Sequence, residues 1–286
     1  MNEVLNRGTG LLIINVMNSN PNGDPDAESE PRTFEADGRG LISPVSFKRK
    51  VRDLLEDEDG PVRAEALRVI GACSDRNKYG ILESRGRERK TLEKMDALAF
   101  IGAYWDARVF GSTFLEKGAE KIRTGVVQIG PGVSVAPIDI VRLTLTNKAG
   151  VQKGKDRGMA PLAFRVVRHG LYAMPFFVNP SAAHKSGCTT ADIDVLKFLI
   201  PLAYAHTASA MRPQVEIVHA WYAEHKSPLG SCPDPLILSA LQPIKRGNPE
   251  ESSRDISDYD IPDMLPDHLR DRLSSFEDLA TKDWAV

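Results

Sequence analysis

Four acidic residues, Asp24, Asp26, Glu28 and Glu35, occupy the first, third, fifth and twelfth places of one window, the spacing of a calcium-binding loop. Such a loop supplies oxygen ligands around a sharp glycine turn, but Ser29 stands where the glycine belongs, and Pro25 and Pro31 fall inside the window. A second grouping is cationic. At about 100° per residue, Lys48, Arg49 and Arg52 share one arc of a helix, opposite Phe47, Val51, Leu54 and Leu55, while Lys50 lies apart near the apolar margin. Three cations on an exposed face can hold a polyanion by charge and counterion release. The ordinary alternative for such a triplet is the solvated face of an amphipathic helix. His169, His206, His219 and His225 lack close metal-ligand spacing, and no histidine precedes residue 169, which argues against an N-terminal general-base histidine. No metal site, cofactor or catalytic group is expected.

These side chains need a frame. The apolar run Leu11 to Val16 reads as a buried strand that ends in Asn18-Ser-Asn-Pro-Asn-Gly-Asp-Pro-Asp26, a loop shaped by fixed proline φ and by side-chain bonds from Asn and Asp. Ser43 then caps a helix with Pro44 at its first position, running to Leu55. Gly60-Pro61 breaks the chain before a short helix over 62–72, the charged segment 74–90 is a surface excursion, and Thr91 caps a helix to about Trp105. Strands are expected over 125–129, 133–146 and 170–178, with the basic insertion Lys153-Gly-Lys-Asp-Arg157 between the last two. Thr189 and Thr190 open a long apolar helix to about Met211, kinked at Pro201, and 214–222 forms a final strand. The core order strand, helix, strand, strand, helix, strand is an α+β arrangement of ferredoxin-like or RRM-like kind.

With 286 residues, 42% of them apolar, the chain can bury a sizeable core. Eleven acidic and four basic residues lie from Glu250 onward, so the tail carries −7 and, against −2 for the whole chain, the body carries +5. Residues 243–286, rich in Pro and Asp, are expected to form an extended tail that packs on a neighbour or stays partly disordered. Opposite charges on body and tail suit a head-to-tail contact between copies. Cys73, Cys188 and Cys232 are few, odd in number and far apart, as in a reducing cytoplasm, and no apolar run is long enough for a membrane span.

Six blocks together resemble a known family. They are the loop 18–26 with Pro31-Arg32 and Gly40-Leu-Ile-Ser-Pro-Val-Ser-Phe-Lys-Arg-Lys-Val-Arg52, then Trp105-Asp-Ala-Arg-Val-Phe-Gly111, Gly125-Val-Val-Gln128, His169-Gly-Leu-Tyr172, Ser209-Ala-Met-Arg212 and His225-Lys-Ser-Pro-Leu-Gly230. In this order they are similar to the backbone subunit of the type I CRISPR Cascade complex, a RAMP protein, in its I-C and I-B branches. The resemblance implies an RRM-like palm over residues 1–242, a finger insertion at about 57–120 and a thumb hairpin at about 139–168. It implies copies that polymerise along a CRISPR guide RNA beside other Cascade subunits, with target DNA read by guide pairing.

The RNA-contacting set that follows is Lys48, Arg49, Arg52, Asn20, Asn22, Arg108, Lys153, Lys155, Arg157, Arg165, His225 and Lys226. For Arg108, pairing with Asp106 and contact with phosphate are equal alternatives. His225 and Lys226 stand either at a strand end near RNA or in an ordinary loop. Since related type III backbone subunits cleave RNA with a loop aspartate, Asp24 or Asp26 gives an alternative, cleaving function.

Overall fold

A computed structural model describes residues 4–84, 92, 95–112, 124–147 and 160–282. Strand β1 (Gly8–Ser19) is buried along both faces, as a continuous apolar run requires when layers cover a sheet on each side. Leu12, Ile14 and Val16 enter one core, while Leu11 and Ile13 enter another. Asn18 adopts a positive φ of 45°, which Asn tolerates, near the end of the strand. Short strands β2 (Gly23–Asp24) and β3 (Glu30–Pro31) pair within the loop, followed by β4 (Arg39–Ile42).

Helix α1 (Pro44–Glu56) begins as its sequence dictates. The Ser43 hydroxyl accepts a hydrogen bond from the Ser46 amide at 3.2 Å, and Pro44 fills the first position. Helix α2 (Pro61–Val69) also starts on proline. The helix expected up to Trp105 is instead two short pieces, α3 (Ala97–Ala103) and α4 (Trp105–Phe110). Asp96, not Thr91, caps the first, accepting from the Ala99 amide at 2.8 Å, and Thr91 lies outside the described residues. Between the pieces Tyr104 is extended, because the backbone there bridges Gly80.

The single strand expected over 133–146 is likewise divided, into β6 (Gly132–Pro137) and β7 (Ile140–Asn147), following the short β5 (Val127–Ile129). Pro137 cannot donate a ladder hydrogen bond, so the break falls there. Strand β8 (Ala160–Val178) is longer than the expected 170–178. Its first half pairs with β7 as a two-stranded ribbon, and its second half joins β1, β5 and β6.

After the short α5 (Ala183–Ser186), helix α6 (Thr190–Leu199) carries a capping box between Thr189 and Asp192. Pro201 ends the α-helix rather than kinking it, and the chain continues in separate 3-10 turns. Strand β9 (Val215–His225) leads to α7 (Asp234–Leu241), β10 (Ile244–Lys245), β11 (Tyr259–Asp260), α8 (Asp267–Arg270) and β12 (Leu273–Asp278).

The main sheet runs β12-β9-β1-β8-β6-β4, with β5 and β7 also on β8, and every described pair in it is antiparallel. Helices α1, α2, α4 and α6 cover one face. The other face is covered by α7 and the C-terminal segment, through Ile237, Leu241, Tyr259, Leu265, Leu269 and Leu273. The expectation of an extended or partly disordered tail is therefore corrected for residues 243–282. Their leucines supply enough apolar surface to close the second layer, and Asp278 fixes the edge by accepting from the Ala220 amide at 2.8 Å and from His219 at 2.7 Å. His219 itself stacks on Trp221 with centroids 4.6 Å apart.

Candidate nucleic-acid interface

The cations of α1 divide by what lies over them. Arg52, expected on an exposed arc, is only 4% exposed. Its Nε donates to Asp106 at 2.9 Å and a terminal nitrogen lies 3.2 Å from Glu83. Asp106 is fully buried and also accepts from the amides of Leu82 at 2.6 Å and Glu83 at 3.2 Å. The segment carrying these residues covers the arc that helix periodicity alone leaves open to solvent. Arg49, half-buried, pairs with Asp53 and Glu56 and donates to the Glu83 carbonyl at 2.6 Å. Arg108 does not pair with Asp106 as one expected alternative had it. Buried, it pairs with Asp192 at 2.7 and 3.1 Å and donates to the carbonyls of Lys78, Ile101 and Gly102. These guanidinium charges are compensated within the fold, as buried charges must be.

Lys50 is not. It is 6% exposed, makes no hydrogen bond or ion pair among the described residues, and holds Nζ 5.5 Å from the centre of the Tyr204 ring. Burial, and secondarily the positive charge of Arg212, lower its pKa from 10.5 to about 8, against a smaller opposing pull from Asp53. Arg212 is half-buried, and its Nε donates to the Asn20 carbonyl at 3.1 Å. The Asn20 amide donates to the Met211 carbonyl at 2.8 Å, so segment 209–212 is stitched to the end of β1. On the Arg52 side of α1 Lys48, half-buried, lies 5.3 Å from the Phe110 ring centre, its pKa lowered by burial and then by the Arg52 charge.

The expected asparagines tie down the loop around this pair. Asn20 Nδ2 donates to the carbonyls of Ser29 at 2.7 Å and Arg165 at 3.3 Å, while its Oδ1 is buried with no partner among the described residues. Asn22 Oδ1 accepts from the Ser43 amide at 2.7 Å and so ties the loop to the start of α1. Arg165, at the foot of the ribbon, lies 3.3 Å from Glu30 and 3.7 Å from Glu28. Lys153, Lys155 and Arg157 lie outside the described residues. The Asp24 carboxylate serves its own loop, accepting from the Asp26 amide at 3.1 Å and pairing with Arg32 at 3.3 Å. Among the described residues no three of His, Cys, Asp and Glu converge as metal ligands.

His225 and Lys226 stand elsewhere. Glu224 pairs with Gly8, at the start of β1, whereas Asn20 follows its end, so about 35 Å separates the two groups. His225 is fully buried, with Nε2 3.0 Å from the Thr9 hydroxyl and Nδ1 accepting from the Ser231 amide at 3.0 Å. Burial lowers its pKa, and Thr9 passes the chain on to Asp234 at 2.6 Å. His225 is thus buried and hydrogen-bonded on both ring nitrogens within the fold. Lys226 is exposed and donates to the Asp271 carbonyl at 2.7 Å.

Lys50 and Arg212 lie outside the set expected from the sequence. Both signals were present, Lys50 inside the Lys-Arg-Lys run and Arg212 closing the Ser209-Ala-Met-Arg212 block.

The chain is an α+β protein built on an antiparallel sheet covered on both faces. Residues 6–262 match the family model described as CRISPR-associated protein Cas7, and the chain belongs to that family, which bears out the resemblance of the six sequence blocks. It is 26% identical over 217 residues to the CRISPR-associated protein Cas7 of Haloferax volcanii, a match covering 68% of this chain and 63% of that protein. Among solved structures it is similar to a chain of a CRISPR RNA-guided surveillance complex in a pre-nicking state. There the TM-score is 0.48 and the identity 13%, over 76% of this chain and 78% of that one. A second CRISPR RNA-guided surveillance complex gives a TM-score of 0.46 at 16% identity, over 82% and 75%. A type III-B Cmr-beta complex bound to cognate target RNA gives 0.43 at 10%, over 77% and 61%. No helix among the described residues is long and apolar enough to cross a membrane.

Proposed function

We propose that this chain is a non-enzymatic scaffold that holds CRISPR guide RNA by its phosphates at Lys50 and Arg212, beside Asn20. The carrying observation is the pair Lys50 and Arg212. One is buried without a counter-ion, the other close enough for its charge to lower the lysine pKa, and a phosphate would relieve both. Membership of the Cas7 family supports the guide as the polyanion. Copies would line the guide in a homo-oligomeric filament within a type I complex in the cytoplasm, with other Cascade subunits, and target DNA would be recognised by guide pairing.

The order β9-β1-β8-β6 is that of fourth, first, third and second core strands, which supports a ferredoxin-like, RRM-like palm. Its second face is occupied by the C-terminal segment, so stacking bases on the sheet is not the binding mode. The ribbon of β7 and β8 would serve as the thumb expected at 139–168, and α3 and α4 as part of the finger expected at 57–120.

Two expected results test this reading. Lys50→Met combined with Arg212→Gln should reduce the slope of log affinity against log salt by about 1.4, at roughly 0.7 per phosphate contact on single strands. A filter-binding titration with equal slopes for variant and parent would sink the assignment of these two cations. Complementary RNA offered to the guide-loaded protein with divalent metal should stay intact, since Asp24 is committed to the Asp26 amide and Arg32. Metal-dependent cleavage that disappears in Asp24→Ala or Asp26→Ala would show instead that the loop aspartates are catalytic.

A further inference from the structure

His169, on β8 beneath the C-terminal segment, is fully buried. Its Nδ1 lies 2.7 Å from the Ser253 hydroxyl and its Nε2 3.0 Å from Asn15 Oδ1, while the Tyr259 hydroxyl donates to Ser253 at 2.8 Å. One arrangement of protons satisfies all four groups. Asn15 Oδ1 can only accept, so Nε2 carries the hydrogen of the neutral ring and Nδ1 is the bare nitrogen. Ser253 then donates to Nδ1 and accepts from Tyr259. A proton added at Nδ1 would face the Ser253 hydrogen, and the buried hydroxyl would have to turn that hydrogen out of the relay.

The same two partners hold residues 246–260 to the sheet. Within that stretch Ser253 and Tyr259 are the only buried residues. Ile256 is half-buried against the second core, and the Ser252 hydroxyl donates to Asp139 at 2.7 Å. The neck is the short pairing of β10 with β11, extended by the Arg246 amide donating to the Asp258 carbonyl at 2.8 Å. A segment with so little buried apolar surface opens on its own while the sheet beneath it stays folded.

We propose that residues 246–260 form a flap that the neutral His169 ring latches over the sheet and that protonation of the ring at Nδ1 releases. The charged groups facing the ring are Asp255 and Asp258 on the flap and Lys245 on β10, whereas β1 presents Asn15 and Met17, which do not titrate. Farther out, Arg39 acts on Tyr259 and Asp139 accepts from Ser252. Burial, helped by Lys245, outweighs the two aspartates and keeps the ring below its ordinary pKa of 6.5. A base whose pKa is lowered by closure gives up its proton as the flap shuts. Closure is therefore strongest above pH 6.5 and weakens as the pH falls from there towards the closed-state value.

Amide exchange of residues 246–260 at pH 7 and pH 5.5, corrected for the chemical exchange rate at each pH, tests the latch. In the parent the opening equilibrium should rise by up to about eightfold, the factor for a ring that titrates at about 6.5 when open and stays neutral when closed. Protection of β1 and β8 should not change. His169→Gln keeps an acceptor for Ser253 and a donor for Asn15 and has no proton to gain, so its flap should open equally at the two pH values. Should that variant lose its fold, an NMR titration of the His169 ring in the parent decides, since the ring should take up its proton below pH 6.5 and together with flap opening. Equal flap protection in the parent at both pH values, a Gln variant with the parent's pH response, or a ring that is protonated with the flap closed overturns the latch. Protection lost from β1 and β8 along with the flap overturns it as well, because the whole fold is then what responds to acid.

Discussion

Lys50→Met should make the RNA-free protein more stable at pH 7 and a weaker RNA binder. A lysine whose pKa falls from 10.5 to about 8 on folding destabilises the folded state below that pH, by about 3 kcal/mol at most. Between about 8 and 10.5 the unfolded chain holds the proton that the folded chain has released, so the stability of the parent rises with pH across that window. Methionine keeps the packing against Tyr204 and removes the charge. The gain over the parent should therefore be full at pH 7 and shrink towards pH 10.5 in a series of denaturant titrations. RNA binding should behave in the opposite sense. In the parent it needs the protonated amine and declines as pH climbs past the lysine pKa, while the variant is weaker and flatter. A variant less stable than the parent at pH 7, or one with the parent's RNA affinity and pH profile, would remove Lys50 from the site.

Asp106→Ala should destabilise the fold by about 3–5 kcal/mol, the range for stripping one partner from a buried ion pair. The loss includes the hydrogen bonds from Arg52 Nε and from the Leu82 and Glu83 amides. Replacing both partners, as Arg52→Met with Asp106→Leu, should recover a large part of that stability, because no buried charge is then left alone. Denaturant titrations of the two single variants and the double complete the cycle. The salt slope of RNA binding should be the same in the double variant as in the parent. If it flattens by about 0.7, Arg52 touches phosphate after all and the ion pair is not its only role.

These two residues show where reading the chain alone stops. Ser43, Pro44, Phe47 and Val51 announce α1 because a cap and a 3.6-residue stripe are interactions among near neighbours. Leu11 to Val16 announces a doubly covered strand for the same reason, and the loop 18–26 announces its own turns. The order of six blocks was enough for family membership. The charge of Arg52 could not be read in this way. Its partner Asp106 is 54 positions distant, and the partner of Arg108 is 84, so a helical arc that is open in isolation is closed by a segment arriving from far along the chain.

The acidic tail misled for a related reason. Its prolines and aspartates resemble a disordered segment, yet Leu265, Leu269 and Leu273 bury against the sheet, and β12 completes its edge. The sequence by itself determined the start of α1 and the buried run of β1, since caps and apolar stripes depend on contacts a few residues long, and the order of its blocks determined the family. Which cations are neutralised, which one is left buried without a counter-ion, and what covers the second face of the sheet were decided only when distant segments packed. Burial and the cancellation of charge are properties of neighbours in space, and the order of residues fixes those neighbours only through the completed fold.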